Sequence, residues 1–208
     1  IVFGDWSSDV CSSDLKSAVE QFLELIENIP VCDVRSQSEF AAGHIPGAVN
    51  IPLFNDKERE AVGIKYKKNG SKAAVKLGLD LAGPGLSDKL ADGLKLARDN
   101  KILVYCWRGG MRSESMGWLF SLAGLDVRIL EGGYKAYRHI VLEKLAAKRK
   151  IIILGGLTGS SKTHILNFLK DKGRQVIDLE GLANHKGSSF GALGQKPQPS
   201  TEHFANLL

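Results

Sequence analysis

The order of apolar and polar runs predicts an α/β protein: a doubly wound parallel sheet, followed by the first βαβ part of a second domain. Three observations carry this prediction. Apolar runs of strand length at 31–34, 102–105 and 127–130 alternate with segments of helical periodicity, the pattern of parallel sheets. One run leads straight into a cysteine loop, Cys106-Trp107-Arg108-Gly109-Gly110-Met111-Arg112-Ser113, at the strand end where open α/β sheets place their sites. A fresh apolar run at 151–154 then restarts the pattern ahead of a glycine-bearing loop and a further helical stretch.

Each element has its own signal. In 16–29, Val19, Phe22, Leu23, Leu25 and Ile26 form a helical stripe that Pro30 ends. The strand at 31–34 follows, with Cys32 packed in it as a small hydrophobe. Ser36 or Ser38 caps a short helix, Gly43 ends it, and His44-Ile45-Pro46-Gly47-Ala48 turns into another strand. Asp33, Arg35 and Glu39 read as an ion-pair and capping network that holds this first loop, and His44 fixes the turn. Residues 54–98 are polar and mostly helical, with Leu86, Leu90, Leu94 and Leu96 facing a core. The strand at 102–105, the cysteine loop, a helix at 113–123 and the strand at 127–130 complete the first domain, closed by Glu131-Gly132-Gly133-Tyr134.

Composition sets bounds. At 208 residues and 43% apolar content the chain can bury one large core or two small ones. No apolar run approaches the ~20 residues of a membrane span, so a soluble protein without membrane contact is expected. A net charge of +5 favours an anionic partner, though not strongly. Cys11, Cys32 and Cys106 lack CxxC spacing, which argues against a zinc site or a disulfide framework and suits a reducing cytoplasm. Residues 1–15, in which Ser-Ser-Asp recurs around Val10-Cys11, read as a foreign or unstructured segment and not as a signal peptide.

The cysteine loop carries chemistry. A strand–loop–helix wraps backbone N–H groups around a sulfur and aims a helix N-terminus at it, which stabilises a thiolate and any adjacent oxyanion. Arg112 adds a planar anion clamp. A buried structural cysteine would have no use for two arginines and two glycines in the next six positions. Cys106 is therefore the expected nucleophile, with Arg108, Gly109, Gly110, Arg112 and Ser113 as its anion-binding loop.

Beyond Tyr134 a basic bridge holds Lys135, Arg138, Lys144, Lys148, Arg149 and Lys150, interleaved with Tyr134 and Tyr137. Lys135, Arg138, Lys148, Arg149 and Lys150 are candidates for RNA phosphates and the two tyrosines for base stacking; a solvated linker helix over 139–150 is the plain alternative. Then comes Gly155-Gly156-Leu157-Thr158-Gly159-Ser160-Ser161-Lys162-Thr163, opening a helix. It reads as a phosphate-binding loop in which Gly156, Gly159, Ser161, Lys162 and Thr163 hold a diphosphate and Thr163 can hold Mg²⁺. Ser161 stands where the motif wants glycine. A strand at 175–179 closes a βαβ unit, too little for a stable domain of this kind, so the sequence reads as C-terminally truncated.

Asp33-Val34-Arg35-Ser36 with Glu39-Phe40, Gly43-His44-Ile45-Pro46-Gly47-Ala48, the cysteine loop and Leu130-Glu131-Gly132-Gly133-Tyr134 together resemble a rhodanese domain over 16–138. The resemblance implies a cysteine that forms a persulfide or perselenide. With the phosphate loop of a partial P-loop domain at 151–208, and with Gly132-Gly133-Tyr134-Lys135-Ala136-Tyr137-Arg138 and Asp178-Leu179-Glu180-Gly181-Leu182-Ala183-Asn184-His185, the order is similar to the tRNA 2-selenouridine synthase family. That resemblance implies a transferase that converts wobble 2-thiouridine in tRNA to 2-selenouridine through an S-geranyl intermediate. Selenophosphate and geranyl diphosphate are the implied co-substrates, tRNA is the implied partner, and no cofactor is tightly bound. Cys106 is implied to attack or to carry selenium, Arg108 and Arg112 to hold the donor, and Lys162 and Thr163 to hold the prenyl diphosphate. The alternatives are a rhodanese-type sulfurtransferase and a phosphatase, because Cys106 and Arg112 stand in Cys-x5-Arg-Ser spacing.

Overall fold

The computed structural model describes residues 15–157 and 159–208; Cys11, the rest of 1–14 and Thr158 lie outside the described residues. The chain divides between His139 and Ile140 into two compact units. In the first, strands β1 (Lys16–Ser17), β2 (Val31–Asp33), β3 (Val49–Asn50), β4 (Lys101–Tyr105) and β5 (Asp126–Leu130) form one sheet in the order β1-β5-β4-β2-β3. Every pair in it is parallel, as the alternation of apolar runs predicts. Five helices join them: α1 (Val19–Leu25), α2 (Gln37–Ala42), α3 (Asp56–Ala82), α4 (Leu86–Leu96) and α5 (Met111–Leu122). A 3₁₀ turn at Gly83–Gly85 connects α3 to α4.

The winding direction fixes where a site can form. From β2 the chain steps outward to the edge strand β3, then returns to β4 and proceeds the other way to β5. The direction reverses between β2 and β4, whose register sets Asp33 beside Tyr105. The loops after these strands therefore open onto the crevice that such a reversal creates. The core beneath is apolar and fully enclosed, with Ile102, Val104, Met116, Phe120, Ile129 and Val34 at 0% exposure. Cys32 is one of its members, and burial followed by the nearby Asp33 charge pushes its thiol far up, which leaves it inert.

Several expected boundaries move. Residues 16–17 are a strand and not the start of a helix: Ile129 N–H donates to Leu15 O at 2.6 Å, so the sheet edge captures the segment before the helical stripe begins. Leu15, the first described residue, packs in the core at 9% exposure. Leu86, Leu90 and Leu96 pack on the core as expected, but Leu94 is 46% exposed because it falls on the outer face of α4. The linker helix expected over 139–150 is the latter part of a longer helix, α6 (Gly133–Ala146). Past its end, Arg149 Nη2 donates to the Lys144 carbonyl at 2.8 Å, closing the last turn.

In the second unit, α7 (Lys162–Asp171) stands where the phosphate-loop motif requires a helix, followed by α8 (Leu179–Leu182) and α9 (Thr201–Leu207). The two flanking strands expected at 151–154 and 175–179 are not formed. Ile152 and Ile153 are 99% and 87% exposed. A parallel strand exists only through neighbours that take up its N–H and C=O groups and cover its faces, and among the described residues beyond His139 no such ladder is present.

Candidate active site

Three short segments build the site: the turn after β2, the cysteine loop after β4, and the glycine pair after β5. After β2 the chain must reverse into α2, and a buried ion pair fixes that turn. Arg35 and Asp33 are both completely buried, with Arg35 Nη2 donating to Asp33 Oδ2 at 2.6 Å and Nε at 3.0 Å. Arg35 Nη2 also donates to Gly43 O at 2.7 Å, which ties the end of α2 to its beginning. Burial disfavours the Arg35 cation, but the hydrogen bonds and charge of Asp33 outweigh it and hold the guanidinium protonated. The Tyr134 ring covers the cation at 4.0 Å, with Tyr105 and Trp107 within 5.9 Å. His44 does fix the turn, its ring stacked 3.8 Å from Phe40 and its Nδ1 3.0 Å from the Phe40 carbonyl.

Cys106 directly follows β4 and is 3% exposed. Its Sγ lies 3.3 Å from the Ser113 hydroxyl and 3.9 Å from the Gly110 carbonyl, and Ser113 Oγ in turn donates to Gly110 O at 2.9 Å. Among the described residues no loop N–H reaches the sulfur, so the expected amide cradle is replaced by a hydroxyl and a carbonyl. In the contact between Sγ and the Ser113 hydroxyl either group can donate. On ionisation the Ser113 proton can turn from Gly110 O to the sulfur.

The loop is shaped by the residues after β5. Tyr134 N–H donates to Cys106 O at 2.8 Å and Lys135 N–H to Trp107 O at 3.1 Å. Gly109 and Gly133, with φ +66° and +61°, lie back to back. A Cβ on Gly133 would sit 2.4 Å from Cys106 O and 2.5 Å from Gly109 N, and one on Gly109 would sit 2.5 Å from Leu130 O. Only glycine permits this approach.

Glu39 joins the first loop to the second. Arg112 Nη1 donates to Glu39 Oε2 at 2.6 Å, with Nη2 3.4 Å from Oε1. The same carboxylate accepts from Ser36 N–H at 3.2 Å and lies 3.8 Å from Arg59. Burial pushes the Glu39 carboxyl up, but Arg112, the Ser36 N–H and Arg59 together hold it below the usual carboxylate range. The sequence pattern groups Glu39 with Asp33 and Arg35; its ionic partner stands 73 positions away, where no local pattern could reveal it. Arg112 spends two of its five N–H donors on Glu39. Arg108 is exposed and has no partner among the described residues.

Residues 18–140 match the family described as a rhodanese-like domain. The chain belongs to the rhodanese-like family. Residues 149–208 match a second description, the tRNA 2-selenouridine synthase AAA domain. The chain is 44% identical over 203 residues to a tRNA 2-selenouridine synthase of Sulfurovum sp. (strain NBC37-1), covering 95% of this chain and 52% of that one. It is 43% identical to the enzyme of that name from Bdellovibrio bacteriovorus, covering 88% of this chain and 48% of the other. The chain thus spans about half the length of the curated relatives it matches. A crystal structure of an N-terminal domain from Clostridium difficile 630, described as from an ATP/GTP binding protein, superposes with TM-score 0.56 at 41% identity, covering 61% of this chain and 98% of that one.

The rhodanese-like domain places Cys106, Gly109 and Gly110 in one loop and Arg112 and Ser113 in the first turn of α5. It does not leave its tyrosines for RNA: Tyr134 is 0% and Tyr137 6% exposed. The two rings stack 5.9 Å apart and Tyr134 roofs Arg35, so their place is the core and the expected base stacking on them is withdrawn. Lys135, Lys148, Arg149 and Lys150 are exposed and Arg138 is half-buried. In the second unit, Gly159, Ser161, Lys162 and Thr163 line a cavity of about 340 Å³ with Ser160, His164, Glu180 and Lys186. Gly156 does not line it; its carbonyl and that of Leu157 each accept from Lys162 Nζ at 2.9 Å. Ser161 caps α7 with φ +59°, the left-handed conformation for which glycine is the ordinary residue. His164, Glu180 and Lys186 were not expected there. Glu180 lies in the 178–185 segment already singled out, without a role there, and His164 and Lys186 lie outside the quoted motifs.

Proposed function

We propose that the chain carries the selenium-transfer chemistry of a tRNA 2-selenouridine synthase, with Cys106 as nucleophile and a prenyl diphosphate at the cavity before α7. One observation supports this above others: a cysteine at the sheet's reversal point, in a loop braced on three sides, precedes a segment resembling the AAA domain of that same enzyme. Neither a plain sulfurtransferase nor a phosphatase accounts for the second segment.

In the proposed sequence, geranyl diphosphate alkylates the sulfur of wobble 2-thiouridine; a C–S bond forms, the C–O bond to diphosphate breaks, and diphosphate leaves. The Cys106 thiolate then adds to C2 of the base and expels the geranyl thiolate. Selenium of selenophosphate displaces Cys106 from C2, and water cleaves the Se–P bond to release phosphate. Every step is redox-neutral. A perselenide on Cys106 would need a two-electron oxidant, because selenophosphate delivers selenium fully reduced, so direct attack is the preferred role. Ser113 donates to the thiolate as it forms and as it departs. The free donors of Arg112, with Arg108 and the Gly109–Gly110 backbone, meet the phosphoryl oxygens. In the second unit Lys162 would exchange its two carbonyls for diphosphate oxygens. A Mg²⁺ there would draw on the Thr163 hydroxyl and Glu180 and would neutralise the leaving diphosphate.

The test is mass spectrometry of nucleosides from 2-thiouridine-containing tRNA after incubation with geranyl diphosphate and selenophosphate, with the Sulfurovum relative in parallel. The reading expects 2-selenouridine from both proteins. Product from the relative and none from this chain would remove it for this chain.

A further inference from the structure

Lys65, Lys67, Lys68, Lys72 and Lys76 fall within twelve residues of α3, and no Asp or Glu stands anywhere between Glu60 and Asp80. All five are exposed and none forms an ion pair among the described residues. This run alone carries +5, the formal charge of the whole chain. The 135–150 stretch, six bases against Glu143, carries another +5, so everything else sums to −5. A merely solvated helix face interleaves acids three or four positions from its bases. Here Lys65, Lys67, Lys68 and Lys72 have no acid three or four positions away on either side, and only Lys76 has one, Asp80. Such a field concentrates a polyanion.

The local structure holds these lysines outward. Gly70 interrupts the helix at φ +78°, ψ −179°, and a Cβ there would meet nothing within 4 Å, so this glycine is there for its backbone and not for want of space. Beyond it, Ala74, Gly78 and Ala82 form a buried stripe, with Gly78 against the Phe54 ring. The stripe pins the second segment down and leaves Lys72 and Lys76 in solvent. Tyr66, 59% exposed, stands between Lys65 and Lys67. The helix begins at the candidate site: Asp56 accepts from Ser38 Oγ at 2.6 Å, and Arg59 lies 3.8 Å from Glu39, the partner of Arg112.

We propose that residues 65–76 of α3 form a docking surface for the phosphate backbone of RNA, with Tyr66 as a stacking face beside it. An acidic protein would match the charge alone; the exposed aromatic amid the lysines and the origin of the helix at the Glu39–Arg112 pair favour a nucleic acid. The proposal rests on the reading of RNA as substrate and adds a second docking surface to the 135–150 stretch.

The test measures fluorescence anisotropy of a labelled RNA stem-loop with the full chain over a series of salt concentrations. The variant replaces Lys65, Lys67, Lys68 and Lys72 by Gln, changes confined to exposed side chains and checked by circular dichroism. A comparator replaces Lys135, Lys148, Arg149 and Lys150 by Gln. The first variant is expected to bind about tenfold or more weakly, with a log–log salt slope shallower by roughly 0.7–0.9 for each phosphate no longer neutralised. An unchanged slope in the first variant, with weakened binding in the comparator, overturns the proposal and leaves the RNA reading intact. No binding of RNA by the unmodified chain at any salt overturns both. Binding of a polyglutamate peptide through these lysines, with RNA affinity unaltered, assigns the surface to a protein and overturns the proposal.

Discussion

Glu39 serves two purposes with one carboxylate: it caps α2 through Ser36 and binds the guanidinium of Arg112, six positions after Cys106. Because its folded-state pKa is lowered, the stability it adds is complete above the ordinary carboxylate value of ~4.3 and is lost as pH falls through the lowered value. Glu39→Gln should cost about 2 kcal/mol at neutral pH, and the gap to the unmodified protein should close below pH ~4. Urea unfolding from pH 7 to pH 3 measures this; a gap constant across that range would exclude the ion pair as the cause. Arg35 is held more strictly, with Asp33 on one side and Tyr134 on the other. Arg35→Met should destabilise by about 3–5 kcal/mol, because it strands a buried Asp33 carboxylate, and Asp33→Asn/Arg35→Met together should cost less than the single change. Thermal unfolding of the three variants tests the order; a double variant worse than Arg35→Met would contradict it.

The cysteine loop depends on the turn after β5 as much as on its own residues. Gly133→Ala places a Cβ 2.4 Å from Cys106 O in a backbone conformation that L-residues avoid. It should cost at least about 2 kcal/mol and displace the Cys106 sulfur from Ser113. Both effects are readable, as a lower Tm and as a faster reaction of Cys106 with a bulky thiol reagent; a Tm within a degree or two of the unmodified protein would show that the two loops do not touch. Ser161 presents the opposite case, a side chain where glycine belongs. Ser161→Gly should relieve about 1 kcal/mol of left-handed strain at the start of α7 and raise diphosphate affinity, measured by calorimetric titration with pyrophosphate. Weaker binding would mean that the Ser161 hydroxyl is itself a ligand.

Across the molecule, what sequence reasoning can read is local. The capping of α2 by Ser36, its end at Gly43, the placement of Cys106 directly after β4 and the start of a helix at Lys162 all follow from neighbours within one turn or strand. What it misses depends on partners distant in sequence. Lys16 and Ser17 are a strand only because β5 offers a free edge. Residues 151–154 have the composition of a strand and no ladder to join. Tyr134 and Tyr137, placed among lysines, read as solvent-facing until Arg35 supplies the cation that draws Tyr134 inward. The lysines of 65–76 read as ordinary helix polarity, and only their exposure without acidic partners distinguishes them.

The proposed function gives Cys106 the selenation step and not the prenylation step. The most direct measurement is nucleoside mass spectrometry of tRNA treated with Cys106→Ala in the presence of both geranyl diphosphate and selenophosphate. Accumulation of the S-geranyl nucleoside with no 2-selenouridine is the expected result, with Cys32→Ala behaving as the unmodified protein. Formation of 2-selenouridine by Cys106→Ala at an undiminished rate would contradict the account.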